Sequence, residues 1–262
     1  MNRCVGVRRG LALGLGLALF GMGAAVAATL DPVDPAKRYV DAISDAAVPT
    51  PAEIDDRLVS IRRDNAFLRW ESDAADARVK VVSWMSESAF QRFYSQPEEL
   101  PTDKSAPPTW GTIMWVTAVP QVRDFCRALG TRDVTAISNR LLQLFGLPPT
   151  GQNARFVEMW VSPKDMLRPC PDREIDDSRC EVNAASDVDD YRTWFVGNYA
   201  NSYSEKGFPW TRLGYTYDWA PASDTANPNK PHGASEFILR PGTPYTITGR
   251  FTTAEYCGRP AR

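Results

Sequence analysis

The chain has 262 residues, 43% of them hydrophobic and 24% charged, which is enough apolar material for one substantial core. Its formal charge is −2 and it has no basic block. That excludes the clustered lysine and arginine needed to bind nucleic acid or an anionic membrane surface.

Met1 to about Ala27 reads as a signal peptide. Arg3, Arg8 and Arg9 give a positive start without an acid, and Leu11 to Ala28 holds only Leu, Ala, Gly, Val, Met and Phe. Ala25-Val26-Ala27 is a small-x-small cleavage site. The run approaches the ~18 to 20 apolar residues of a membrane span. Its Gly and Ala content, and the lack of a basic flank after it, favour a leader instead. Cleavage near Ala27 predicts a periplasmic or secreted protein with no membrane anchor. Losing three arginines takes the formal charge from −2 to about −5.

Cys4 leaves with the leader. Cys126, Cys170, Cys180 and Cys257 remain, an even set that in an exported chain predicts two disulfides. Cys170–Cys180 is the favoured pair, because the two are close and a Pro- and Asp-rich loop lies between them. Cys126–Cys257 then joins the last strand to the middle of the chain. Zinc is the rival reading, but no Cys-x-x-Cys is present and His232 is the single histidine.

Residues 28–55 read as an N-terminal arm with one short helix from Pro35 to Ala46, capped by Asp34. Residues 56–262 read as one globular domain. Leu58 to Ile61 and Phe67 to Trp70 are short strand candidates, and Arg78 to Trp84 alternates as a strand should. Gln96 to Pro108 is a Pro-rich, charged loop, and Thr112 to Val119 a β-prone run. Pro120 opens a helix through Leu129, carrying Cys126. A second helix starts at Thr131, with Val134, Ile137, Leu141 and Leu144 at helical spacing, and stops at Gly146. Arg155 to Val161 is a strand, and Ser162-Pro163 caps a short turn of helix. Asp187 to about Tyr203 reads as a helix, with strands at Glu236 to Leu239 and Tyr245 to Phe251. Helices and strands without regular alternation predict an α+β fold, with a mixed or antiparallel sheet, several packed helices and two disulfides.

Motifs for chemistry are sparse. A serine or cysteine nucleophile needs a base, and His232 lies in a Pro-Asn-Lys-Pro-His-Gly stretch that reads as a solvated loop. There is no nucleophile elbow and no phosphate-binding glycine loop, so no cofactor is implied. The acids Asp172, Glu174, Asp176, Asp177 and Glu181 lack the order of a calcium loop, so no metal is assigned.

Glu158 and Glu236 interrupt apolar strands, and Asp218 sits among aromatics. Two carboxylates across a cleft define a glycan hydrolase, and these three acids are its weak catalytic candidates. The richest feature is the aromatic run from Tyr191 to Trp219. Loops that keep aromatic rings are either pinned into a core or used for binding. The leading reading is an exported, non-catalytic binding or accessory domain whose contact residues are Trp210, Arg212, Tyr215 and Tyr217. Its ligand is a glycan, a peptide or a protein. The alternatives are the carboxylate-dependent hydrolase, and a structural accessory protein whose rings are all core.

Overall fold

The computed structural model describes residues 34–95, 99–181, 189–204, 206–221 and 231–258. The expected leader, with Cys4 and the expected cleavage site near Ala27, lies outside them, as do the first residues of the helix expected from Asp187. The strands are β1 (Val79–Ser86), β2 (Thr102–Ser105), β3 (Trp115–Ala118), β4 (Asn153–Val161), β5 (Met166–Leu167), β6 (Tyr215–Tyr217), β7 (His232–Ser235), β8 (Phe237–Leu239) and β9 (Pro244–Thr252). The helices are α1 (Pro35–Ala46), α2 (Glu87–Phe93), α3 (Gln121–Ala128), α4 (Val134–Leu144), α5 (Asp190–Ser202) and α6 (Thr253–Cys257).

Seven strands pair antiparallel in the order β2-β9-β4-β1-β3-β8-β5, and β6 pairs with β7 in a separate ribbon. The α+β class expected from the unalternated elements is the observed one. Period-two side chains divide the central strands between two cores. Val79, Val81, Val157, Met159 and Ile247 share one. Val82 and Phe156 join Val122, Cys126, Ile137, Leu141 and Tyr256 from α3, α4 and α6 in the other. No described helix is long and apolar enough to cross a membrane.

Both disulfides form as paired from the sequence, Cys126–Cys257 and Cys170–Cys180. Cys257 does not lie on the last strand, however. Thr252 and Glu255 form a capping box that starts α6 directly after β9, and the cysteine ends that short helix. The bridge therefore ties helix to helix, α3 to α6.

Several elements depart from the sequence reading. The supposed arm is packed: α1 buries Tyr39, Ala42, Ile43 and Ala46, spaced along one helical face, and the first three of these cluster with Leu142 and Trp219. Residues 58–61 are not a ladder strand. Leu58 and Ile61 donate their backbone N–H groups to Ser178 and Ile175, in the loop closed by Cys170–Cys180. Residues 67–70 contribute only a bridge from Trp70 to Val79. The Pro-rich stretch after Gln96 is not wholly loop, because β2 pairs along the edge of β9.

One irregularity matters for the site. β1 and β3 pair only at Val81–Ala118 and Val82–Thr117. Beyond that point β1 continues to Ser86 on β4 alone, while β3 pairs with β8. The sheet opens between them.

Candidate functional site

A cavity of about 860 Å³ occupies this opening. Trp84 and Met85 line it from β1, Met114 and Trp115 from the β3 side, and Phe93 and Tyr94 from the end of α2. Phe145 and Leu147 after α4, Phe208 and Trp210 from the loop after α5, and Tyr217 from β6 complete the apolar wall.

The wall is held from behind. Trp84 stacks between Phe145 and Phe156, each 5.7 Å away between centroids, and its indole donates to Thr253 Oγ1 at 3.1 Å. Trp210 meets Phe195 at 4.9 Å and Trp115 edge-on at 6.2 Å. Such contacts fix ring orientation beyond simple area burial. Gly146 has φ +62°, ending α4, and a Cβ there would come within 3.1 Å of the Tyr217 carbonyl. Tyr217 donates its hydroxyl to Asp45 Oδ2 of α1 at 2.8 Å, and burial, with Asp45 beside it, raises the phenol well above its ordinary range.

Polar groups on the wall are few. Asn153 donates to the Trp84 carbonyl at 3.0 Å, which caps a β1 acceptor released where the sheet splits. Among the described lining residues only Lys104 and Glu236 are ionisable acids or bases with formal charge. Glu236 stands between β7 and β8, 6% exposed, its backbone N–H bonded to the Gly214 carbonyl at 3.0 Å. Burial pushes its carboxyl up to about 8, against the opposing pull of the Trp210 indole N–H and the Arg168 guanidinium.

The other acids singled out in the sequence lie elsewhere. Glu158 is buried beneath α3 and paired with Arg123 at 2.7 Å, with Lys80 at 3.9 Å. Its carboxyl is raised by burial, with Arg123 and Lys80 opposing. Asp218 is gripped at two points by Arg140, at 3.0 and 2.6 Å. Neither lines the cavity.

The aromatic loop also divides. Trp210 and Tyr217 face the cavity, whereas Arg212 and Tyr215 do not. Tyr215 is 1% exposed and donates its hydroxyl to the Glu53 carbonyl at 2.9 Å. Arg212, at φ 59°, places its guanidinium over Tyr199 and Tyr203 and donates to the Ala47 carbonyl at 2.8 Å, the cap of α1.

His232 is not in a solvated loop. It lies on β7 with Nδ1 2.7 Å from Asp55 Oδ2, its ring edge-on to Tyr215 at 4.4 Å. Nε2 faces the Glu53 carbonyl at 3.4 Å, and the Ser235 hydroxyl accepts from the Val59 N–H. The histidine and that serine thus serve different backbone segments.

In the acidic cysteine loop, Asp172, Asp177 and Glu181 converge, their oxygens within 4.8 Å of one another. Burial and the neighbouring Glu181 raise Asp172 to about 8, and Glu181 is lowered by its hydrogen bond from Asp172. One proton shared between them accommodates the like charges. Arg168, completely buried, holds this loop by donating to the Glu174, Asp177 and Val59 carbonyls. Arg168 leaves almost no mark in the sequence. An arginine two residues before a disulfide cysteine is the only signal it leaves.

Compared with family models, with curated proteins and with solved structures, the chain matches none.

Proposed function

We propose that the chain is an exported binding domain that holds a small, largely apolar molecule in the cavity between β1 and β3. The supporting observation is the cavity itself. About 860 Å³ of space lies among fixed aromatic rings, in the size range of small-molecule sites and with few polar groups on its wall. Trp210 and Tyr217 are the contact residues in this reading. Arg212 and Tyr215 support them by joining the loop to α1 and the turn after it.

Export is part of the proposal. It rests on the leader-type sequence of residues 1–27 and on four cysteines paired as two disulfides. A glycan hydrolase is less favoured. Glu236 is the one carboxylate on the described cavity wall, and Glu158 and Asp218 each face an arginine.

The test is titration with N-phenyl-1-naphthylamine, a dye that brightens in apolar surroundings, followed by energy transfer from tryptophan. Saturable binding at one site per chain is expected. Absence of saturable binding would remove the proposal.

A further inference from the structure

The chemistry of the ligand is further defined by two polar atoms on the cavity wall; this step rests on the cavity being a ligand site. Glu236 Oε1 and Trp210 Nε1 are both buried, and neither has a well-formed hydrogen bond within the protein. The indole N–H lies near enough to pull on the Glu236 carboxyl but does not complete a bond to it. The two side chains are neighbours, and both line the cavity. Buried polar atoms are nearly always well partnered, so a donor and a carboxyl oxygen that lie close in an apolar hollow without a well-formed bond are an arrangement that a bridging ligand completes.

We propose that the cavity takes an uncharged ligand with an apolar body and one end that both accepts and donates a hydrogen bond, as a carboxamide does. The ligand carbonyl accepts from Trp210 Nε1–H, and its N–H donates to Glu236 Oε1. The apolar body lies among Trp84, Phe145 and Tyr217.

Charge argues against the other end groups. An ammonium ion would leave the indole N–H unmet and would require ionised Glu236, which burial opposes. A carboxylate would meet the indole but would be desolvated against the Glu236 carboxyl oxygen, an acceptor, since Arg168 stands behind that carboxyl and not on the cavity wall. The charged and titratable groups around Glu236 are Arg168 behind it, Tyr191 and Tyr203 from the α5 side, and Lys104 elsewhere on the wall. Burial keeps both phenols neutral.

Octanamide, methyl octanoate, octylammonium and octanoate, matched in chain length, are competed against bound N-phenyl-1-naphthylamine at pH 6.5. Octanamide should displace the dye at about tenfold lower concentration than methyl octanoate, which accepts but cannot donate. That ratio should fall towards one in Glu236→Leu. Trp210→Phe, which removes the donor both carbonyls use, should instead weaken both compounds several-fold and leave the ratio at about tenfold. Near-ultraviolet circular dichroism confirms the fold of each, and should one variant not fold, the other carries the comparison. Equal displacement by all four compounds, or preference for octylammonium or octanoate, overturns the inference while leaving the cavity as a binding site. Failure of the dye to bind the wild-type protein overturns both.

Discussion

Arg140 holds Asp218 through two charge-assisted hydrogen bonds of 3.0 and 2.6 Å, and the acid's side chain is only 2% exposed. This pair anchors the end of the β6 segment to α4, the helix whose C-terminal turn carries Phe145 into the cavity wall. Asp218→Asn keeps the shape but leaves a guanidinium facing a neutral amide. Breaking one side of a buried pair costs about 3 to 5 kcal/mol, so the variant should unfold at clearly lower urea concentration. An unchanged midpoint would mean that water already carries the pair.

The two disulfides should differ in value. Cys126 and Cys257 are 131 residues apart, against 10 for Cys170 and Cys180. The chain-entropy model gives about 5 kcal/mol for the long loop and about 3 kcal/mol for the short one. Paired cysteine-to-alanine variants, compared by thermal unfolding, should therefore rank with the Cys126–Cys257 deletion the less stable.

Arg212 couples the aromatic loop to α1 through the Ala47 carbonyl and two tyrosine rings, and does so from a left-handed backbone. Arg212→Ala should release the end of α1, seen as faster amide exchange across residues 35–47. Arg212→Gly loses the same clamp but relaxes the backbone, so it should be the more stable of the two by ~1 kcal/mol. Equal exchange in wild type and Arg212→Ala would assign the hold on α1 to its buried face and to the Tyr217–Asp45 hydrogen bond.

The buried acid makes stability depend on pH in a definite direction. Glu236 is raised from 4.5 to about 8 on folding, so the folded state retains a proton that the unfolded chain releases. Its contribution is complete below about pH 4.5 and is lost as pH rises through about 8. Glu236→Gln has no such dependence. The stability of the variant relative to wild type should thus climb between pH 5 and pH 8 and then level, by an amount on the order of a few kcal/mol. Asp172 also rises to about 8, but it is common to both proteins and cancels in the comparison.

Strong local signals reached the fold intact. Asp34-Pro35 capped α1, the spacing of Ile137, Leu141 and Leu144 made α4, and the alternation from Val79 made β1. The disulfide pairing followed from loop length. What failed to show was tertiary. Thr102 to Ser105 has polar, charged side chains, and becomes a strand because β9 offers it an open edge. The packing of α1 depends on Trp219, more than 170 residues away, and no local pattern announces that contact. The site was half legible. Aromatic density marked Trp210 and Tyr217, and an acid within an apolar strand marked Glu236. But the same signals marked Tyr215 and Glu158, which the fold commits to a backbone carbonyl and to Arg123. The separation depends on where β1 and β3 part, a property of register that neither strand encodes alone.

Whether the opening between β1 and β3 is a binding site is open to direct measurement. A titration of the purified protein with N-phenyl-1-naphthylamine, read by energy transfer and by thermal unfolding with and without dye, measures this. The prediction is one saturable site per chain, and a melting temperature that rises with dye concentration as native-state binding requires. Ser83→Trp, which adds bulk at the cavity lining, should weaken both signals. A dye signal that never saturates, or a melting temperature that stays fixed or falls as dye is added, would contradict it.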